Sequence, residues 1–369
     1  MRIAYFTDTF YPQINGVTNT LDRLDKYLSG KNIEHTFFAP AYPGIQTDEP
    51  EKNVVRHKSM SLPLYPECRL SIPSYPNLCK TADKFRPDLI HLVTPFGIGL
   101  AGLRYAQERN IPIVSSFHTN FDAYLKYYKL ELLEDRIWDF FRWFHNTSRI
   151  NFCPSTDTMK TLENEGIKNL KIWSRGIDAT KFSPLHRNPV LRTGLGMEDR
   201  IVFLYAGRLA AEKDLDILME SIGATSRKYP DQAMFVITGD GPYAKEMKKT
   251  ALDNCIYTGY LTGHDLAAMY SSCDVFLCTS STETFGNVVL EAMASGLPAV
   301  VVNAGGVTDS VIHDYNGIIC NPRDVDSFSS AIGAFIENRD LIRHMGENAR
   351  RFALYKTWDS VFDQLICDY

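Results

Sequence analysis

Short uninterrupted apolar runs recur along the chain, each followed by a helical pattern of spaced apolar residues, and this alternation limits the fold more than any other feature. In the first half the runs are RIAYF, HTFFAP, NVVRH, DLIHLV, IPIVSSF and INFCPS; in the second they are IVFLYAG, AMFVITG, CIYTG, DVFLCTS, PAVVVNA and GIICN. A strand that is apolar at every position, not at alternate ones, is covered on both faces, as parallel strands under crossover helices are. The two series predict an α/β chain with two doubly wound parallel sheets. With 369 residues the chain exceeds the roughly 250 to 300 at which a single core stops growing, which also implies two domains. Prolines, glycines and basic residues interrupt the pattern in KFSPLHRNPVLRTGLGMEDR, so the boundary is expected at about residue 184. Pro63, Pro66, Pro73 and Pro76 make 61–78 read as a loop.

Several classes of function are excluded at this level. The formal charge of -5 gives no general attraction to nucleic acid. Eight cysteines are scattered without a CxxC pair, and several lie inside apolar runs, as reduced core thiols do in a cytoplasmic protein. The start MRIAYFTDTF enters a strand pattern with no leader, and no apolar run reaches 18 residues, so secretion and membrane spanning are not expected. Asp214 with Asp216, and Asp324 with Asp326, form DxD pairs inside or beside helical patterns, and no His and Cys group has zinc spacing. No metal is therefore expected.

Ligands of open α/β sheets collect at the carboxyl ends of strands, which directs attention to the residues after each run. These are Thr7, Asp8, Asn15 and Gly16 after the first, His118 after the fifth, then Gly207, Arg208 and Lys213, Gly239 and Asp240, and Glu283. The stretch STETFGNVVLEAMASGLP carries Glu283 and Glu291 on either side of Phe285, Gly286 and Asn287, which read as a helix start. A helix start favours an anion such as phosphate, whereas a carboxylate repels phosphate and accepts from hydroxyl pairs. Together they describe a ligand with phosphates between polyols, as in a nucleotide sugar. Arg208 and Lys213 supply the cations that a diphosphate leaving group requires. The plainer reading makes Glu291 a first-turn helix acid, Glu283 an exposed loop charge, Arg208 a helix-start arginine, Lys213 a solvated lysine and His118 a turn histidine. Gly97, Gly99 and Gly102 match GxGxxG, but they follow the fourth strand with no acid for a ribose after the next, and read as tight helix packing.

At these residues the chain resembles the retaining glycosyltransferases of GT-B fold, in the large family that includes sucrose synthase and bacterial lipid mannosyl- and glucosyltransferases. The E-x7-E pair Glu283 and Glu291 continues as EAMASGLPAVV, and AGRL with Lys213, ITGDGP, TGYL, GGVTDSV and YNGIIC are also similar. TDTFYPQINGVTNTL and SFHTNFDAYLKYY resemble the branch with GDP-mannose-dependent lipid mannosyltransferases and sulfoquinovosyl lipid synthases. The resemblance implies two Rossmann-like domains facing a deep cleft. Residues 1–184, joined by a returning helix at 353–369, would take the acceptor, and 185–352 would bind the donor.

It further implies that Glu291 holds the ribose and Glu283 a donor-sugar hydroxyl, while Phe285, Gly286 and Asn287 present backbone N–H groups. Arg208 and Lys213 clamp the diphosphate, Tyr260 lines the base pocket, and His118 meets the transferred sugar. Gly16 and Gly239 lie where backbone approaches the donor, and Arg175 and Asp178 shape the cleft. The expected activity is retaining transfer of a hexose from a UDP- or GDP-sugar to an acceptor hydroxyl, a glycolipid or lipid-linked acceptor of the cell envelope, without cofactor or metal. His118, Arg208, Lys213 and Glu283 form the catalytic set. A sugar-nucleotide epimerase, an NAD-dependent dehydrogenase using the Gly97 region and a binding module without turnover are the rivals. Two departures stand out: the first loop has Asn15-Gly16 in place of paired glycines, and Asp214 follows Glu212-Lys213 where relatives commonly have glycine. Residues 121–145, rich in aromatic and basic residues, read either as a peripheral contact with the inner face of the membrane or as a face packed within the fold.

Overall fold

Each of the twelve apolar runs supplies a parallel strand in the computed structural model, which describes residues 1–13, 15–42, 52–62, 65–118, 134–249 and 252–369. The first series comprises β1 (Ile3–Phe6), β2 (His35–Pro40), β3 (Val54–His57), β4 (Ser59–Leu62), β5 (Tyr65–Ser71), β6 (Leu89–Leu92), β7 (Ile113–Ser116), β8 (Ile150–Cys153) and β9 (Leu170–Ile172). The second comprises β10 (Ile201–Ala206), β11 (Ala233–Thr238), β12 (Cys255–Gly259), β13 (Val275–Cys278), β14 (Ala299–Val302) and β15 (Gly317–Cys320). Among the described residues, one sheet has the order β3-β2-β1-β6-β7-β8-β9 and the other β12-β11-β10-β13-β14-β15. The chain order reverses between β1 and β6 in the first sheet and between β10 and β13 in the second, and these switch points are where doubly wound sheets open a crevice.

The all-apolar strands are buried on both faces. Along β10, Val202, Leu204 and Ala206 enter one core layer, with Phe276, Val289 and Met293. Ile201, Phe203 and Tyr205 enter the other, with Leu218, Phe235 and Ile332. In the first sheet Ala4, Phe6, Ile90 and Leu92 pack with Phe38, Ile98 and Leu103.

The chain separates into two compact units, residues 1–174 with 361–369, and residues 175–360. The sequence reading puts the change at 184 and the return at 353; packing accounts for both differences. Ile177 and Phe182 join the second unit's core, and Arg350 donates to the carbonyls of Ala179 (3.1 Å) and Phe182 (2.9 Å). Ala353 is buried in that same core, and its helix, Arg339–Tyr355, runs on past it. Within residues 361–369, the Phe362 ring packs tilted against Tyr27 with centres 5.3 Å apart, and Asp368 pairs with Lys171 at 2.7 Å.

Residues 61–78 are not a loop. β4 and β5 form an antiparallel hairpin, and a helix follows over Tyr75–Phe85. Both strands of a two-stranded sheet are edges, which spares Pro66 a central ladder position, and Pro76 lies in the helix's first turn, where its missing N–H costs nothing. Of the aromatic segment 121–145, residues 121–133 lie outside the described residues. The helix Glu134–His145 turns Trp138 and Phe141 inward against Phe117, buries Phe144 in the core that holds Ile98 and Leu103, and leaves Trp143 exposed. No helix among the described residues is long and apolar enough to cross a membrane.

Candidate active site

In the second unit, the loops after four neighbouring strands are sewn to one another. After β10, the Leu209 N–H donates to the Asp240 carbonyl (2.9 Å) in the loop after β11. Further along the same loop, the carbonyls of Lys213 and Glu212 accept from Thr279 Oγ1 (3.0 Å) and Thr282 Oγ1 (2.9 Å) in the loop after β13. The Gly306 N–H, after β14, donates to the Glu283 carbonyl at 2.7 Å. Lys213 and Glu283 meet across the switch between β10 and β13, with Nζ 2.6 Å from Oε1 and side chains 19% and 20% exposed. The two residues that the sequence assigns to diphosphate and donor sugar are therefore direct neighbours.

Asp214 follows Lys213 at φ +48°, a left-handed conformation that disfavours a Cβ. Its carboxylate compensates by accepting from the Ser281 N–H (3.1 Å) and Ser281 Oγ (2.6 Å). Arg323, in the loop after β15, spans Asp214 (2.8 Å) and Asp216 (2.9 Å). A single guanidinium thus bridges this DxD pair, and the acid that replaces the commoner glycine does not stand as a bare charge beside Lys213. The second DxD pair is ordinary helix chemistry, since Asp324 caps Val325–Glu337 by accepting from the Ser327 N–H at 2.9 Å.

The E-x7-E acids stand at the two ends of one short segment. Glu283 precedes the helix Asn287–Ala294, and Glu291 lies within it, accepting from the Tyr270 hydroxyl at 3.1 Å. Burial and the neighbouring Glu291 carboxylate push the Tyr270 phenol well above its usual range, so it stays a donor. Gly286 caps that helix at φ +81°, where a Cβ would meet Val307 Cγ1 at 2.6 Å. Phe285 is buried in the core and anchors the turn, and the Asn287 side chain is exposed. Gly239, at φ +140°, lies so close to Gly207 that a Cβ would come within 1.9 Å of its carbonyl oxygen. Arg208 is ion-paired with Glu212, its side chain 60% exposed. Tyr260 follows the edge strand β12 and is 75% exposed, next to Gly259, whose carbonyl accepts from the Gly239 N–H at 2.9 Å. Asp178 folds its own turn, accepting from the Thr180 and Lys181 N–H groups at 3.2 and 3.0 Å, and Arg175 is buried.

In the first unit, His118 follows β7 and packs edge-on to Trp173 with ring centres 5.3 Å apart. Gly16 begins the helix Gly16–Gly30, capped by Asn15, whose Oδ1 accepts from the N–H groups of Val17 and Thr18. A Cβ at Gly16 would meet nothing within 4 Å, so steric need does not explain this glycine. At the β1/β6 switch the buried Asp8 carboxylate accepts from the Ile98 N–H (3.0 Å), the Gly99 N–H (3.4 Å) and Thr94 Oγ1 (2.9 Å). Burial pushes its pKa up, against those donors. Gly97 and Gly99 abut the carbonyls of Ser71 and Thr94, and Gly102 abuts the Phe6 ring. The GxGxxG glycines thus serve close packing, and a protein carboxylate fills the helix N-terminus where a dinucleotide phosphate would sit.

A family model described as Glycosyl transferases group 1 matches residues 191–352, and one described as Glycosyltransferase Family 4 matches residues 14–181. Over 376 residues the chain is 33% identical to a GDP-mannose-dependent alpha-mannosyltransferase of Mycolicibacterium smegmatis, covering 100% of this chain and 97% of that protein. The chain belongs to the glycosyl transferases group 1 family. This glycosyltransferase is also 30% identical over 360 residues to Sulfoquinovosyl transferase SQD2 of Arabidopsis thaliana, covering 95% of this chain and 69% of that protein. Anabaena HepE in complex with UDP has a TM-score of 0.79 at 19% identity, over 100% of this chain and 99% of that one. The fold is GT-B. Sequence reasoning missed Arg323, Ser281, Thr279 and Thr282 in the candidate site. The glycine-to-aspartate departure at 214 was the one signal toward Ser281 and Arg323, which meet its carboxylate.

Proposed function

We propose that this glycosyltransferase moves a hexose from a GDP- or UDP-sugar to a hydroxyl of a lipid or glycolipid acceptor, with retention of anomeric configuration and without a metal. The observation that carries the reading is the Lys213–Glu283 pair across the β10/β13 switch, beside the Gly286 helix start and Glu291. Relatives named GDP-mannose-dependent alpha-mannosyltransferase and Sulfoquinovosyl transferase support the donor class, and alpha-monoglucosyldiacylglycerol synthase of Streptococcus pneumoniae, 27% identical, supports the lipid acceptor.

In the proposed step the bond from the anomeric carbon to the diphosphate breaks, and the leaving oxygen keeps the electron pair. The acceptor oxygen bonds to that carbon on the face just vacated, and its proton passes to an oxygen of the departing diphosphate. The products are the glycoside and the nucleoside diphosphate. Lys213, Arg208 and the first N–H groups of Asn287–Ala294 stabilise the charge that grows on the diphosphate, which lowers the barrier because that charge is larger in the transition state than before it. Glu283 and Glu291 accept from sugar and ribose hydroxyls. The Arg323 bridge over Asp214 and Asp216 supports the metal-free reading, since those acids already have a cation. His118 and Gly16 take the sugar-side and backbone roles that the family resemblance implies.

The test is turnover with a panel of GDP- and UDP-hexoses and diacylglycerol in mixed micelles, with and without EDTA. Release of nucleoside diphosphate and an α-linked product from an α-linked donor are expected, unaffected by the chelator. An inverted product, or hexose returned as an altered nucleotide sugar with no acceptor consumed, overturns the reading.

A further inference from the structure

At the opposite end of the second sheet, five arginines line a cavity of about 410 Å³: Arg187, Arg192, Arg200, Arg339 and Arg343. The carboxylates lining it are Asp199 and Asp274, which leaves an excess of three positive charges. Ile201, the first residue of β10, is in its wall, and β10 is six residues long. At about 3.3 Å of rise per residue, the cavity is roughly 20 Å along the strand from the loop that carries Arg208 and Lys213. It is a feature separate from the proposed donor site.

The arginines fall into a fixed pair and a loosely held group. Arg187 and Arg192 reach Asp274 at 2.8 and 3.3 Å. They also donate to the carbonyls of Cys273 (3.1 Å) and Ser272 (2.6 Å). Asp274 accepts the Val202 N–H at 2.9 Å as well, so this carboxylate is fully engaged. Arg200, by contrast, makes no side-chain hydrogen bond or ion pair among the described residues. Arg339 donates to the Asp199 carbonyl at 3.1 Å. Arg343 approaches Asp340 at 3.5 Å and Glu347 at 3.9 Å, both exposed and screened by water.

Two of these positions work against the local structure. Arg339 is the first residue of the helix Arg339–Tyr355, where the dipole disfavours a cation, and Arg343 follows one turn later, so like charges stack at i, i+4. A bound anion reverses both penalties. Guanidinium forks match phosphate oxygens two at a time, and a fixed Arg187/Arg192 pair beside the long side chains of Arg200, Arg339 and Arg343 can surround such a group. We propose that this cavity binds a phosphate-bearing anion, either a soluble polyphosphate or a phospholipid headgroup.

The experiment measures binding of inorganic pyrophosphate to the full chain by calorimetry, and co-sedimentation with vesicles of phosphatidylglycerol and phosphatidylcholine in equal parts. The parent is compared with the double variant Arg200→Ala, Arg343→Ala, and Lys213→Ala controls for the donor loops. Binding is expected to persist in Lys213→Ala and to weaken about tenfold or more in the double variant. Pyrophosphate binding without vesicle binding assigns a soluble phosphate; vesicle binding that the double variant loses assigns a headgroup. A double variant that binds both probes like the parent overturns the proposal, as does a parent that binds neither. The thermal midpoint of the double variant in anion-free buffer checks its fold, and the single variant Arg343→Gln serves if that fold is lost.

Discussion

Breaking the Lys213–Glu283 pair is the most direct way to separate its structural from its catalytic part. The contact is 2.6 Å, and about four-fifths of each side chain is out of water. An exposed ion pair is worth about 0.2 to 1 kcal/mol, whereas removing one partner of a fully buried pair costs about 3 to 5 kcal/mol. A charge-assisted hydrogen bond of intermediate burial lies between, so a cycle of Lys213→Ala, Glu283→Gln and the double variant should give a coupling energy of about 2 kcal/mol in urea unfolding. The same variants are then assayed for nucleoside diphosphate release at saturating donor. Lys213→Ala should lower kcat by about a hundredfold, as loss of one preorganised donor to a developing anion does. Arg208 supplies the contrast, because its pairing with Glu212 is an exposed i, i+4 contact. Arg208→Ala should also lower kcat about a hundredfold while stability changes by less than about 0.5 kcal/mol. Strict additivity in the Lys213/Glu283 cycle together with unchanged turnover would refute both roles.

The remaining predictions concern the frame around the site. His91 and His145 are fully buried, which holds their imidazoles neutral with pKa values depressed to about 3 and about 4. The unfolded chain binds protons on both near pH 6.5 while the native chain does not, so stability falls as pH drops from there toward pH 4. By pH 5 the loss should be about 2 kcal/mol per histidine, and His91→Gln should remove its share of the slope in urea midpoints measured from pH 7 to pH 5. Gly239→Ala must move the Gly207 carbonyl, 1.9 Å from the added methyl, and adopt φ +140°; a loss of stability above about 3 kcal/mol or insoluble expression is expected. Asp214→Ala should unfold more readily than Asp214→Gly by about 1 kcal/mol, because both lose the Ser281 and Arg323 contacts but only alanine keeps a Cβ at φ +48°.

The sheets were legible because a parallel strand under two layers of helices has one composition at every position, as β10 and β11 do. β9 was not: Leu170–Ile172 is three residues long inside KNLKIW and its side chains are half exposed, so it joins the sheet through backbone pairing with β8 and leaves no apolar run. The β4–β5 hairpin was hidden by its prolines, since a residue that forbids a central strand says little about a two-stranded edge. In the site, Lys213, Glu283, Gly239 and Gly286 were legible from their positions after strands. Their supports were not. Arg323 meets Asp214 across 109 residues and Thr279 meets Lys213 across 66, and contacts of that reach follow from strand order, which a single sequence does not print.

Residues that break local rules occur at both ends of the second sheet, and the breakage differs in kind. At the carboxyl ends, Asp214 takes a conformation suited to glycine, and the cost is met inside the protein by Ser281 and Arg323. That closed set of contacts holds the loop bearing Lys213 against the loop bearing Glu283, which is what a reaction driven by charge placement requires. At the amino ends, Arg339 and Arg343 follow one turn apart at the start of a helix and line one cavity with Arg200, and the acids that meet Arg343, Asp340 and Glu347, are exposed. A fully compensated irregularity positions something already in the fold, whereas a partly compensated excess of one charge sign suits a ligand from outside it. On that reasoning the two ends of the same six strands have separate tasks, and variants at 200 and 343 should leave turnover with a soluble donor unchanged.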